Sequence, residues 1–375
     1  MMTPLSESQA YLVLNALPHI GPINLNRLLE SMDGDPCAVL GADRKRLEQV
    51  KGVGPTISGS IAGWTEKFDL AREEKHLGQA RARFVTHRES DYPALLREIP
   101  DPPIGLYQKG SYAFNLPMIA MVGSRRTSLY GQKVAKQLAG ELTRAGFCIV
   151  SGLARGIDTF AHEGALEAGG RTAAVLGTGI DIIYPAENLN LYRQIEEQGA
   201  IVSEFPFGRR ADRQSFAMRN RIVAGMCSGV VVVESDVAGG SMITARFAGE
   251  QGRLLFAVPG RIDQPTSAGC HQLIRDGAML VTCVDDIVEE FSYLDGLRPA
   301  PIPAKPVTST AEAAPSGINP EESKVLACFS GGGELTPDEV VRLTGMATAE
   351  VSSLLMMLEL AGKVSKRVDG RYECT

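Results

Sequence analysis

No run of 18 consecutive apolar residues occurs anywhere in the 375-residue chain, so none of its helices is expected to span a membrane. Met1-Met2-Thr3-Pro4-Leu5-Ser6-Glu7 has neither a basic nor an apolar stretch, so a secretory leader is not expected. The seven cysteines (37, 148, 227, 270, 283, 328, 374) form no Cys-x-x-Cys, and their number is odd. That argues against a zinc site or a disulfide framework and for reduced thiols in a cytoplasm. Neither sign of charge dominates: 38 Lys+Arg against 44 Asp+Glu leave a net −6. Such a field is weakly repulsive to a polyanion, so any nucleic-acid contact requires a local basic patch. What is present is ordinary for a globular protein, 44% hydrophobic and 22% charged residues, enough for two or three domains.

Three regions follow along the chain. In residues 1–80, apolar positions at Leu12, Leu14, Leu17 and Leu25, Leu28, Leu29 suit helices. Pro18-His19-Ile20-Gly21-Pro22 and Val50-Lys51-Gly52-Val53-Gly54-Pro55 each place a proline at a helix start, where the missing N–H costs nothing. The pattern is that of a helical SAM or helix–hairpin–helix-like domain. Residues 82–295 alternate apolar runs (118–122, 147–150, 172–176, 200–203, 229–234, 253–258, 279–282) with helical segments such as 130–145, 157–168 and 243–251. Seven short, nearly uniformly apolar strands with helical crossovers predict an α/β, doubly wound parallel sheet buried on both faces. The stretch 84–110 reads as an irregular lead-in. A Pro/Ala-rich linker at 296–318 precedes a domain at 319–375 of three helices and a hairpin, a winged helix. Its candidate recognition helix, 347–361, holds Glu350 and Glu359 and no Lys or Arg. A protein-contact or regulatory role is expected there over duplex reading.

In an open parallel sheet, ligands bind beyond the carboxyl ends of the strands. Glycines follow five of the expected strands at that edge: Gly123, Gly152, Gly177 and Gly179, Gly239 and Gly240, and Gly260. Gly123-Ser124-Arg125 opens a helix as an anion-binding set, with Ser128 counted beside it, and it is neither Gly-x-Gly-x-x-Gly nor a P-loop. No cofactor is therefore implied. Ser151-Gly152-Leu153-Ala154-Arg155-Gly156 and Gly240-Ser241-Met242-Ile243-Thr244 make two more such loops. Three small, hydroxyl-bearing loops on one edge suit a chain of phosphates. Asp158 and His162 share a helix face four residues apart, and a structural role in organising the 151–156 loop is favoured over acid/base work. The strongest local signal is Arg209–Arg221: five arginines (209, 210, 213, 219, 221) against Asp212 alone, with Phe216 among them. Arginine for phosphates and an aromatic for bases is the arrangement of single-strand binders.

Residues of about 90–290 resemble the DNA-processing protein A (DprA/Smf) family. The matching segments include Tyr92-Pro93, Met121-Val122-Gly123-Ser124-Arg125, Ser151–Asp158 with His162, Tyr184-Pro185, Ser203-Glu204, Phe216 with Arg219-Asn220-Arg221, Gly240–Ala245, Val258-Pro259-Gly260 and Gly277-Ala278. The resemblance implies an extended Rossmann-like fold that binds single-stranded DNA without catalysis. It also implies protection of incoming DNA in natural transformation, loading of the RecA recombinase and a homodimer. It puts the phosphate pocket on Gly123, Ser124 and Arg125, with Ser151, Gly152, Ala154, Gly240, Ser241 and Thr244 adjoining. It makes Arg213 the basic residue of the next motif and Phe216 the base-stacking one. Two departures stand out: Ala217 replaces a usual proline, which is expected to loosen the loop there, and His271 stands where asparagine is commoner. The alternative is a phosphoribohydrolase-like nucleotide enzyme. Its glycine-rich loop ends in a catalytic glutamate, which Gly239–Ala245 lacks. A third reading makes the winged helix a transcriptional reader.

Overall fold

The apolar runs pair into one nine-stranded sheet of order β1-β2-β6-β5-β4-β3-β7-β8-β9. The strands are β1 (Arg83–Thr86), β2 (Gly105–Gly110), β3 (Met118–Val122), β4 (Cys148–Ser151), β5 (Thr172–Leu176), β6 (Ala200–Ser203), β7 (Gly229–Val232), β8 (Leu254–Ala257) and β9 (Met279–Leu280). This computed structural model describes residues 4–292, 320–329, 335–367 and 370–374; the linker expected at 296–318 lies outside them. β3 to β9 pair in parallel. The stretch read as an irregular lead-in is not irregular: β1 and β2 are an antiparallel pair, and β2 runs antiparallel to β6. The sheet is therefore mixed at one edge. Gly105 and Gly110 at the two ends of β2 hid a strand that pairing with β1 and β6 stabilises.

Alternation along the strands sorts the side chains onto two faces. Ala120, Val150, Val175 and Val232 meet helices Arg213–Gly225, Gly240–Glu250 and Ala268–Arg275 on one face. Ile119, Ile149 and Val231 meet helices Leu129–Arg144, Ile157–Glu167 and Asp285–Ser292 on the other. Gly146 and Gly252 follow two helices with φ of 97° and 65°, the left-handed stop that glycine takes without strain.

On that second face, over β1, β2, β5 and β6, lie Phe84, Tyr107, Ala174, Leu176 and Ile201. They share a core with Leu12, Leu25, Leu28, Val39, Leu47 and Ile61 of the N-terminal helices. The helical region expected as 1–80 and the sheet expected as 82–295 thus fall in one compact unit, Met1–Pro303. The helix Leu189–Gln198 also packs there, and the N-terminal helices supply further cover for that half of the face. Their starts are where the Gly-Pro pairs indicate, at Pro22 and Pro55 with Gly21 and Gly54 as N-caps.

The second unit, Ala304–Thr375, holds helices Pro320–Ala327, Pro337–Thr344 and Thr348–Leu360 and the hairpin Val364–Lys366 with Tyr372–Cys374. Thr336 and Glu339 close a reciprocal capping box, and Val325, Phe329, Val340, Leu355 and Tyr372 fill its core. No single helix among the described residues is long and apolar enough to cross a membrane.

Candidate nucleic-acid interface

The strand order reverses at β3, which pairs with β4 on one side and β7 on the other. A doubly wound sheet opens a crevice at such a point, outside the strand ends. Three loops meet there and hold one another. Ser124 N–H donates to Glu234 O at 2.6 Å, and Ile157 N–H donates to Ser124 O at 3.2 Å. Glu234, buried after β7, accepts from Thr127 Oγ1 (2.6 Å), Ser128 N–H (3.0 Å) and Ser128 Oγ (2.5 Å). Gly156 carries a φ of 77°, and a Cβ there would strike the backbone of Ser124 and Arg125. The close approach of two loops therefore requires glycine.

The resulting cleft has a volume of about 470 Å³. Arg125 and Arg126 stand on one wall, Arg213 and Phe216 on another, and Gly239, Gly240 and Ser241 on a third. The guanidinium of Arg125 lies over the Phe216 ring at 4.9 Å, a cation–π contact. The ring of Tyr184, itself 45% exposed, is 5.5 Å from that of Phe216 and tilted by 47°. An arginine and two aromatic rings thus form one contiguous group, a surface on which a nucleobase can stack. Asn220 ties this wall to the next by donating from Nδ2 to Gly240 O at 3.2 Å.

Beneath the cleft, Asp158 accepts from Gly152 N–H (3.1 Å) and Ala154 N–H (3.3 Å) through Oδ2. It organises the 151–156 loop, as the structural reading requires. Burial raises its pKa, and the Arg219 guanidinium opposes the rise. Arg219 is buried and also lines the cleft; its Nη1 donates to Val175 O at 3.0 Å. A Cβ on Gly152 would fall within that guanidinium, so the loop admits only glycine beside it.

His162 is fully buried and lies away from the cleft lining. Its Nδ1–H donates to Thr172 Oγ1 at 2.7 Å, because that hydroxyl gives its own proton to Ile149 O. Burial, aided by Arg219, pushes the imidazole down to about 3, so it stays neutral and is no proton shuttle at neutral pH. The unfolded chain protonates this side chain near pH 6.5 and the folded one only near 3. The stability contributed by the neutral ring is complete above about pH 6.5 and falls by roughly 1.4 kcal/mol per unit below it. Urea unfolding at about pH 7 and about pH 5 is expected to differ by roughly 2 kcal/mol more in the wild type than in His162→Leu.

Residues 83–292 match the model of the family described as DNA recombination-mediator protein A. The chain belongs to that family. Residues 309–370 match the DprA winged helix domain, in agreement with the second unit. Protein Smf of Synechocystis is 32% identical over 98% of this chain and 99% of its own length; Protein Smf of Escherichia coli is 40% identical over 81% and 78%. The crystal structure of DNA processing protein A from Streptococcus pneumoniae superposes with a TM-score of 0.67 at 33% identity, covering 76% of this chain and 99% of that one. That of Helicobacter pylori, described for its single-stranded DNA binding mode, gives 0.51 at 29% identity, covering 56% and 96%.

Most of the family's motif residues meet in the cleft. Gly123, Ser124, Arg125, Ala154, Arg213, Phe216, Arg219, Asn220, Gly240, Ser241 and Thr244 all line it. Four expected residues do not. Ser128 caps the helix Leu129–Arg144 and is held by Glu234. Ser151 Oγ donates to Met121 O, fully buried. Gly152 makes room for Arg219. Arg221 points away: its Nη2 donates to both oxygens of Glu204 at 2.6 and 2.7 Å, and its Nε faces Asp101 Oδ2 at 3.2 Å. The 3.6-residue period of the helix explains the split, since residues 213, 216, 219 and 220 fall within an arc of about 120° and 221 turns out of it.

The segment expected to be loosened by Ala217 is a helix, Arg213–Gly225, with an Asp212–Ser215 capping box. Position 217 lies past the first turn, where alanine favours the helix and proline does not. His271 does an amide's work by donating from Nε2 to Gly260 O at 2.9 Å. Sequence reading missed Tyr184 and Glu234 as site residues. Glu234 stood in no motif; its only signal was an acid closing the otherwise apolar run 229–234. Replacing it by alanine leaves the 123–128 loop without three acceptor contacts. The variant is expected to lose about 1–3 kcal/mol of stability, with faster hydrogen exchange at the amides of 124–128.

In the second unit, the helix Thr348–Leu360 exposes Met356 (64%), Met357 (56%) and Leu360 (80%). Such a face suits a protein partner better than a phosphate backbone.

Proposed function

We propose that the protein binds single-stranded DNA in the switch-point cleft and performs no chemistry on it. On this reading it shelters incoming DNA during natural transformation and hands it to the RecA recombinase, acting as a cytoplasmic homodimer. The observation that carries the reading is the grouping of Arg125, Phe216 and Tyr184 at a cleft that Ser124, Ser241 at a helix start and the buried, helix-borne Arg219 also line. Phosphates take the cations and hydroxyls, and bases take the rings. The Helicobacter pylori relative, which is described as binding single-stranded DNA, supports it. The absence of a glutamate from Gly239–Ala245 and a histidine kept neutral away from the cleft favour binding over nucleotide hydrolysis.

Fluorescence anisotropy of labelled oligo-dT and of its duplex, across a salt series, tests the reading. Preference for the single strand with affinity falling steeply in salt is the expected result. Equal binding of duplex, or release of free base from nucleoside monophosphates, would overturn it. Sedimentation velocity checks the dimer, and displacement of a single-strand-binding protein by RecA in the presence of this protein checks the hand-over.

A further inference from the structure

The cleft does not end at the helix Arg213–Gly225. Along that helix it adjoins a second hollow of about 650 Å³, with which it shares Ala217 and Ile243 as lining residues. The second hollow shares Gly21, Pro22, Gln214 and Met218 with a third, of about 580 Å³, under the first N-terminal hairpin. The three adjoin in a row, termed the trench, from the strand ends of the sheet to the turn at Pro18–Pro22. Its floor is fixed: Asn15 Nδ2 donates to Glu204 O at 2.7 Å, and Asn26 Nδ2 donates to Pro102 O at 3.0 Å. The hairpin is thereby pinned to the segments that hold Arg221.

The charge of the trench differs from that of the protein. Eight arginines and four acids line the three hollows, in a chain of net −6. Two of the acids, Asp101 and Glu204, face Arg221, and a third, Asp158, is bound to the 151–156 loop. Arg27 and Arg246 flank the middle hollow, with Phe247, Met218 and the half-exposed Ile23 between them. Cations along the sides and apolar surface between them are what a single strand needs beyond its first nucleotides.

We propose that a DNA strand seated in the cleft continues along this trench to the N-terminal hairpin, with Arg27 and Arg246 as additional phosphate contacts. The N-terminal helices then belong to the binding surface and set the length of strand the protein covers. This rests on the function proposed above, and the test separates the two.

Affinity is measured for oligo-dT strands of about 4 to about 16 nucleotides, the range of site sizes of single-strand binders, on the full chain. Wild type is expected to gain affinity with length until the trench is filled. The double variant Arg27→Ala/Arg246→Ala should bind the shortest strand as wild type does. For the longest strand it should bind about tenfold more weakly, with a salt slope lower by about 1.4, two contacts at about 0.7 each. Arg246→Gln alone, at a residue 65% exposed whose ion pair is to Glu250, should lose part of the same gain at little cost to stability. Unchanged length dependence and slope in both variants overturn the path. So does a loss confined to duplex, which would assign the hairpin to double-stranded DNA. If neither wild type nor variants bind even the shortest strand, the reading of the cleft itself has failed.

Discussion

Alanine at position 125 is expected to weaken binding of oligo-dT by about 10- to 100-fold, the range for losing hydrogen bonds to a charged group. Arg125 is exposed, and no carboxylate among the described residues forms an ion pair with it. Its guanidinium lies against the face of Phe216, so its charge is open to a phosphate at little desolvation cost. Removing it should also lower the salt slope by about 0.7, one phosphate contact on a single strand. Arg213→Ala should act in the same direction, since Arg213 lines the same cleft and is exposed. Phe216→Ala should weaken binding by about 1–3 kcal/mol while leaving the slope near its wild-type value, because stacking releases no counterions. The two kinds of variant are told apart in one salt titration. A slope unchanged by Arg125→Ala would remove that residue from the phosphate path.

Arg221→Ala should behave in the opposite way, losing stability and keeping binding. The side chain is 2% exposed and bridges Glu204 and Asp101. Truncating it leaves the Glu204 carboxylate, only 10% exposed, without its partner, and removing one member of a buried pair costs about 3–5 kcal/mol. Burial already raises the pKa of Asp101, against the pull of Arg221, so that carboxyl would rise further in the variant. Urea denaturation is expected to show this loss, and Glu204→Ala should show one of similar size. Binding of a short oligo-dT strand by the folded protein at low temperature should stay within about twofold of wild type, a few tenths of a kcal/mol. A stable Arg221→Ala protein with weakened binding would return this residue to the DNA surface, where the arginine run and the motif Arg219-Asn220-Arg221 had put it.

Much of this was legible without coordinates. Uniformly apolar runs fixed the seven parallel strands to within two residues at most ends, because a strand buried on both faces has no other composition available. Glycines at the strand ends marked the binding edge, because close approach of neighbouring segments excludes a Cβ, as at Gly123, where one would strike Ile157 and the Glu234 carbonyl. The identity of Phe216 and the clustering of arginines marked the chemistry. The strands β1 and β2 were not legible, since β1 is a short edge strand and β2 is bounded by glycines, and both are stabilised by their neighbours rather than by their own residues. Nor was the division of labour among the arginines. Arg213 and Arg221 are chemically the same group eight residues apart; one helix turns the first to the cleft and the second to Glu204. Glu234 and Tyr184 reach the site from segments distant in sequence; Tyr184 stood in the matching segment Tyr184-Pro185 with no role attached, and Glu234 in no motif at all. The amino-acid sequence by itself determined which surfaces must be buried and which residues can hold phosphate and base. Only the tertiary structure decided which of those residues face the cleft, because that depends on helix rotation and on the partners waiting on each side.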